Sequence, residues 1–375
     1  MNEQISQKLI GCRVKAARES MGWTQHRLSQ GLGLNDRQTI SDIENGKRNL
    51  KPEELLALSD LLEQDIEYFI NPFAVVGEAQ FSWRAAPKVP REILDGFTLK
   101  VGQWIGLLRW LREQQTTKVS VLKRALRLSS SPTFEEVGNC AENLAAELNL
   151  GLIPAENLIS QIEKELDIPV LFLDDVESDD ASSISGATCH LDAMGVILIN
   201  RNEVEGRRNF NIAHELFHAL TWDEMKPEYR ESNSSERGGK GKHKRIELLA
   251  DNFAAALLMP SDSLSKLIVK KRIGDVEHLS EIAAQLQVTP IAMAYRLLNL
   301  KWIDQDIFNR LSQKKQPPGT KIAPKPFSVT FIQLLHDALE TGRISARKAA
   351  KALGLGLGGL TELFAQYDLH APFEL

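Results

Sequence analysis

The chain has 375 residues, 43% of them hydrophobic and 25% charged, with a formal net charge of -5, an ordinary globular composition with room for two or three domains. That balance excludes a global pull towards nucleic acid or an anionic membrane. Three widely spaced cysteines, none in a C-x-x-C pair, exclude a disulfide framework and fit a reducing cytoplasm. No apolar signal core opens the sequence and no run of about eighteen apolar residues occurs, so the expectation is a soluble cytoplasmic protein without a membrane segment.

Residues 8–70 read as a series of short helices. Lys8 to Ser20 sets Ile10, Val14 and Ala17 on one side. Gly22 and Trp23 break that helix, and Thr24 is the expected N-cap of the next, Gln25 to Gly31. After the turn Leu32-Gly33-Leu34, Asn35 is expected to cap Asp36 to Glu44, which Asn45-Gly46 ends. Pro52 then opens a helix running from Glu53 to near Leu62.

The pattern T-Q-x-x-L-x-x-x-L-G-x-x-x-x-x-x-I-S-x-I-E-N-G from Thr24 to Gly46 has helix-turn-helix spacing. It resembles the XRE-type DNA-binding domain of phage repressors. The resemblance implies a second helix that enters the major groove amino end first. It sets Arg37, Gln38, Thr39 and Ser41 towards base edges, and Gln25, Asn45, Lys47 and Arg48 against phosphates. The implied partners are a double-stranded DNA operator and a second copy of the chain, since such domains read two half-sites. Residues 1–72 hold nine Lys and Arg against eleven Asp and Glu, so a protein-contact role for the same module stays open.

Between 71 and 134 the signals are weaker. Asn71-Pro72 and Pro87-Lys88-Val89-Pro90 punctuate a linker. Phe97 to Arg112 reads as a helix with Trp104, Ile105, Leu108, Trp110 and Leu111 on it, a core helix or a dimer helix. Ser129 to Pro132 marks a boundary, and Thr133 with Glu136 opens the helix Phe134 to Leu148. A further helix, Ala155 to Leu166, leads to a buried strand at Ile168 to Leu173. The acidic run Asp174 to Asp180 reads as a solvated loop. Ile184 to Leu191 and Gly195 to Asn200 form an expected hairpin, in which Ser185 to Thr188 is a candidate edge for binding a peptide as an added strand. Cys189 and His190 read as a core residue and a surface histidine.

The chemistry lies in Asn209 to Leu220, which contains His214-Glu215-Leu216-Phe217-His218. On a helix, residues four apart share a face, so His214 and His218 can aim ring nitrogens at one metal. Glu215 lies one residue round, free to act as a base. Alone, this motif also fits a core helix with two satisfied histidines. Support comes from Ile246 to Pro260, a helix stopped by proline, where Glu247 and Asp251 share a face. Glu247 is the expected third ligand, and Asp251 the expected acceptor for the far ring nitrogen of a ligating histidine.

Arg207 to Leu220, followed by E-x-x-A-D-x-F-A-A-x-L-L-M-P from Glu247 to Pro260, resembles the ImmA/IrrE family of zinc metallopeptidases. The resemblance implies a small zincin fold, one Zn2+ on His214, His218 and Glu247, Glu215 as the catalytic base, and a repressor-type regulator as substrate. Phe217 stands where the family commonly has glycine. The polar stretch Lys226 to Arg245 is an insert between the two helices, expected as a mobile loop, with His243 a candidate oxyanion partner. Beyond it, Leu279 to Leu300 reads as a helix pair broken by Val288-Thr289-Pro290, with Tyr295 and Arg296 candidates to polarise a carbonyl. Gln316 to Lys325 is a linker, and Phe327 to Leu375 adds two or three helices.

The expected fold is mainly α with a small β-sheet. A five-helix domain at 1–72 precedes a helical linker at 73–132, a zincin-like α+β domain at 133–315 and a helical appendage at 326–375. The expected function is a DNA-binding zinc metalloendopeptidase. The alternatives are a transcription factor whose zincin domain senses a ligand without cutting, and an antitoxin-like binding protein.

Overall fold

The structure, a computed structural model, describes residues 7–34, 36–114, 126, 128–129, 131–174, 184–191, 194–231, 241–314 and 323–374. Asn35, the acidic run from 175 onward, the centre of the polar insert at 232–240 and most of the late linker, 315–322, lie outside the described residues. In chain order the elements begin with α1 (Gln7–Ser20), α2 (Gln25–Gly31), α3 (Arg37–Glu44), α4 (Pro52–Leu61) and α5 (Ile66–Ile70). Strand β1 (Gln80–Ala85) and the long α6 (Arg91–Glu113) follow, then α7 (Phe134–Glu147) and α8 (Pro154–Glu165). Next come β2 (Val170–Leu173), β3 (Ile184–Leu191), β4 (Met194–Asn200), α9 (Glu205–Thr221) and α10 (Lys242–Leu258). The chain continues with α11 (Ser261–Leu267), α12 (Val276–Gln285), α13 (Pro290–Asn299), α14 (Gln305–Ser312), α15 (Val329–Glu340), α16 (Ala346–Leu353) and α17 (Leu357–Ala365). The fold is mostly helical with one small sheet, and among the described residues no helix is long and apolar enough to cross a membrane.

The chain divides into two compact units, one of residues 1–80, 92–119 and 329–375, the other of 81–91 and 120–328. The first contains α1–α5, built on Val14, Leu28, Ile40, Ile43, Leu58 and Phe69, all buried. Thr24 caps α2 by accepting from Arg27 N, and Asp36 caps α3 by accepting from Gln38 N. Glycine is required at Gly11, where an added Cβ would lie 2.2 Å from the Ile43 carbonyl; α1 and α3 pack too closely for any side chain. Buried Arg13 donates to the carbonyls of Phe69 (3.0 Å) and Asn71 (2.8 Å), fixing the end of α5 to α1. Helices α6 and α15–α17 belong to this unit too, and Trp104 Nε1 donates to Leu353 O at 3.2 Å. Trp104 and Trp110 are therefore core residues, not a free face.

In the second unit the sheet order is β1-β3-β4-β2, with β3 and β4 antiparallel and β2 parallel to β4. Strand β2 stands at one end of that order and is nonetheless buried along its length. Helix α9 packs against β3 and β4, and α10 against α9, α7 and α13. Two expectations change here. The stretch expected as helical linker supplies β1, an alternating strand of Phe81, Trp83 and Ala85. Consequently β3, expected as an exposed strand, lies between β1 and β4 in the sheet order, and β1 is the terminal strand on that side.

Candidate metal centre

Helix α9 turns a stripe of Ile212, Ala213, Leu216, Phe217 and Leu220 into the core. That stripe fixes the helix rotation and carries His214, Glu215 and His218 inward, each with no solvent exposure. Phe217 packs on Phe253 of α10, ring centroids 5.4 Å apart, and so helps to seat one helix on the other. Helix α10 then delivers Glu247, 3% exposed.

The nitrogen and oxygen atoms converge. His214 Nε2 and His218 Nε2 are 3.1 Å apart, and Glu247 Oε2 lies 3.3 Å and 3.5 Å from them. A further carboxylate joins: Glu231 Oε2 is 3.4 Å from His214 Nε2, and its Oε1 is 3.9 Å from His218 Nε2. Four ligands at about 2.0–2.1 Å around a tetrahedral zinc stand roughly 3.3–3.4 Å apart. The donor set therefore fits a zinc-type ion. Glu215 Oε1 and Glu231 Oε2 are buried without a hydrogen-bond partner among the described residues, and buried oxygens left so are aimed at something the protein atoms do not supply.

Around these donors sits a set of orienting contacts. Asp251 Oδ1 lies 2.9 Å from His214 Nδ1 and 3.3 Å from an Arg84 guanidinium nitrogen. A proton held on Nδ1 leaves the lone pair of Nε2 facing the cluster. Thr188 of β3 donates to Glu215 Oε2 at 2.7 Å. Beside it, a Cβ on Gly186 would lie 2.7 Å from Leu198 O and 3.6 Å from Glu215 Cγ, so the strand passes close over the carboxylate.

Electrostatics separate the two motif carboxylates. Burial, reinforced by the Glu231 charge, pushes Glu215 well above the ordinary range; His214, Thr188 and Arg84 oppose this without cancelling it. Burial acts upward on Glu247 as well, but its contacts with both histidines outweigh it and hold the group far below that range. For His214, burial and Arg84 act downward, while Asp251, Glu231 and Glu247 outweigh them and hold it well above the usual value. One carboxylate is thus a strong proton acceptor and the other a persistent anion.

Two residues at the cluster carry no sequence motif. Arg84 sits on β1, and Glu231 at the end of a segment joined to β1. The alternation of polar and apolar residues from 80 to 85 is a legible strand signal; nothing local to Arg84 or Glu231 ties either to α9. Conversely, three candidates lie elsewhere. Tyr295 is exposed and packs on Phe308. Arg296 is buried against Met259 O and Glu142. His243 is half exposed, 3.7 Å from Glu228. Cys189 is buried, and His190 stacks on Trp222.

The residues expected to meet DNA are distributed over α2, α3 and the following turn. Arg37, Gln38, Asn45 and Lys47 are exposed, while Thr39 and Ser41 are half-buried. Several have protein partners. Gln38 donates to Asp42 (3.0 Å), and Asn45 donates to Ser41 O (2.7 Å). Gln25 donates to Glu44 (2.8 Å), which also pairs with Arg18 (2.6 Å). Arg48 forms a two-pronged pair with Glu54, at 2.7 and 3.0 Å.

One chain thus carries a compact helical domain with paired helices and a sheet-backed cluster of two histidines and two glutamates. Residues 14–69 match a helix-turn-helix family model, and residues 163–298 match the M78 peptidase model, described as an IrrE N-terminal-like domain. The chain is thus a fusion of these two domains. No curated protein matches it.

Proposed function

We propose that the chain is a DNA-binding regulatory metalloendopeptidase that cuts a repressor-type protein in the cytoplasm, acting as a homodimer on an operator. The observation that carries the peptidase reading is Glu215, a fully buried carboxylate with one oxygen held by Thr188 and the other without a protein partner among the described residues, next to the convergent histidines. His214, His218 and Glu247 would hold one zinc ion. Bound zinc supplies Lewis acidity towards the peptide carbonyl and towards water. Glu215 accepts a proton from the attacking water and returns it to the leaving amine; its raised proton affinity suits that task. Asp251 and Arg84 keep His214 in one tautomer. Arg37, Gln38, Thr39 and Ser41 read bases, and Lys47 with its neighbours meets phosphate.

The test compares new protein amino termini in cells making the wild type or Glu215→Gln. The variant should retain its metal and lose cleavage by roughly 10²–10⁴-fold. A fragment produced equally by both sinks the mechanism.

One observation favours a second reading, a regulator whose metal domain senses without cutting. Glu231 gives the centre a fourth protein donor, and catalytic zinc sites keep that position open. Under this reading Glu215→Gln leaves regulation unchanged, while changes at Arg37 or Gln38 abolish it.

A further inference from the structure

The segment 228–231 is held to the sheet as a peptide would be. Strand β1 ends the sheet order, and its outer side takes the segment through a parallel bridge between Trp83 and Arg230. Trp83 N donates to Tyr229 O at 2.8 Å, and Glu231 N donates to Trp83 O at 3.0 Å. Ser82 Oγ donates to Glu228 O at 2.7 Å and lies 3.3 Å from Glu231 Oε1. Arg230 donates to Pro87 O at 3.1 Å, and the Arg91 guanidinium sits over the Tyr229 ring. This is strand addition to an open edge, performed by the chain on itself.

Its product is the position of Glu231. The carboxylate stands 3.4 Å from His214 Nε2, against 3.3 Å for Glu247. With a metal held there, it would supply a fourth protein donor, where a hydrolytic zinc site keeps a position for water or substrate. A permanently closed site has no use for a base, yet Glu215 remains beside the histidines with Thr188 holding one oxygen and no partner on the other among the described residues.

We infer that Glu231 is a fourth, displaceable metal ligand, and that residues 228–231 are an internal stand-in for a peptide that holds the peptidase latent until an extended segment of a protein substrate takes their place on β1. The inference rests on the peptidase reading of the same centre. Its grip includes one ladder step, the side-chain contacts of Ser82, Arg230 and Tyr229, and the approach of His243 to Glu228 at 3.7 Å. Activation thus needs release of a few hydrogen bonds rather than refolding of α9 or α10.

The test uses the full chain with cobalt(II) in place of zinc and acetohydroxamate as the probe of an open position. In the wild type the visible cobalt spectrum should change little on adding hydroxamate. Glu231→Gln should alter the spectrum of the cobalt protein, bind hydroxamate about tenfold or more tightly, and release metal to a chelator more readily, by roughly 10–100-fold. Arg230→Ala keeps the carboxylate and loosens the segment; it should bind hydroxamate with intermediate affinity. Equal hydroxamate affinity in all three proteins overturns the inference. So does complete loss of metal from Glu231→Gln together with an Arg230→Ala protein as closed as the wild type, which is the behaviour of a fixed structural ligand. None of these three readouts involves turnover. Variants that open to hydroxamate yet cut nothing therefore count against the peptidase reading alone, and an inert Glu231 counts against the latency alone.

Discussion

The helix-turn-helix and the metal centre differ in how far along the chain each gathers its parts. Every side chain expected to meet DNA lies between Gln25 and Arg48 and is exposed or half-buried, and Gln38, Gln25 and Arg48 are steadied by Asp42, Glu44 and Glu54. The candidate metal cluster is buried, and its side chains come from α9, α10 and the 228–231 segment, with Arg84 brought from β1. A recognition surface needs only a stable platform beneath it. A cluster of buried charges needs compensating partners on every side, because an unpaired buried charge costs several kcal/mol. Those partners come from wherever the fold supplies them.

The sharpest way to break the comparison is to remove the platform. Leu28 is fully buried and packs within the α1–α5 core. Leu28→Ala should destabilise that region by about 2–5 kcal/mol and abolish operator binding, while the protein still takes up its metal. Parallel loss of metal, measured on the same sample, would mean that the two regions are not separable in the way their cores imply. A smaller effect is expected at Asp251. Asp251→Asn keeps the shape but offers His214 Nδ1–H a weaker partner, and metal affinity should fall by about 10–100-fold. Chelator competition measures it, and an unchanged affinity would deny Asp251 its orienting role.

The same contrast explains which parts of the molecule are legible in the amino-acid sequence. The α9 and α10 donors are legible because a four-residue repeat on an apolar helix fixes geometry locally, and because Pro260 marks the end of α10. The caps at Thr24 and Thr133 are legible for the same local reason. At α3 the cap is Asp36, one residue beyond the expected Asn35, since either side chain can accept from the first turn and position within the turn decides. Strand β1 is readable in Phe81-Ser-Trp-Arg-Ala85, but the prolines after it give the stretch the look of a linker. Composition hides Glu231: Lys226 to Arg245 is polar, and polarity says loop. What places Glu231 is a hydrogen-bond pair with Trp83, from a part of the sequence with no motif in common. Pairing between distant strands leaves no periodic trace in either partner.

The smallest predicted effect sharpens the local side of the contrast. The helix-turn-helix resemblance sets Arg48 against phosphate, yet its guanidinium is engaged by Glu54, whose carboxyl is held below its ordinary value by that hydrogen bond, with the Lys51 backbone adding to it. A carboxyl with a lowered folded-state pKa stabilises the fold fully above its unfolded value, and that stabilisation is lost as pH falls through the folded value. The pair is partly exposed, with Arg48 at 32% and Glu54 at 17%, so solvent screening limits it to about 1 kcal/mol or less. Arg48→Ala should therefore be slightly less stable than the wild type near neutrality, and the gap should close as urea melts are taken from about pH 6 to about pH 3. Operator affinity gives the complementary reading. If Arg48 leaves Glu54 for a phosphate, Arg48→Ala should lower the salt slope of binding by about one unit. An unchanged slope, with the pH-dependent gap intact, assigns Arg48 to the platform rather than to the surface it supports.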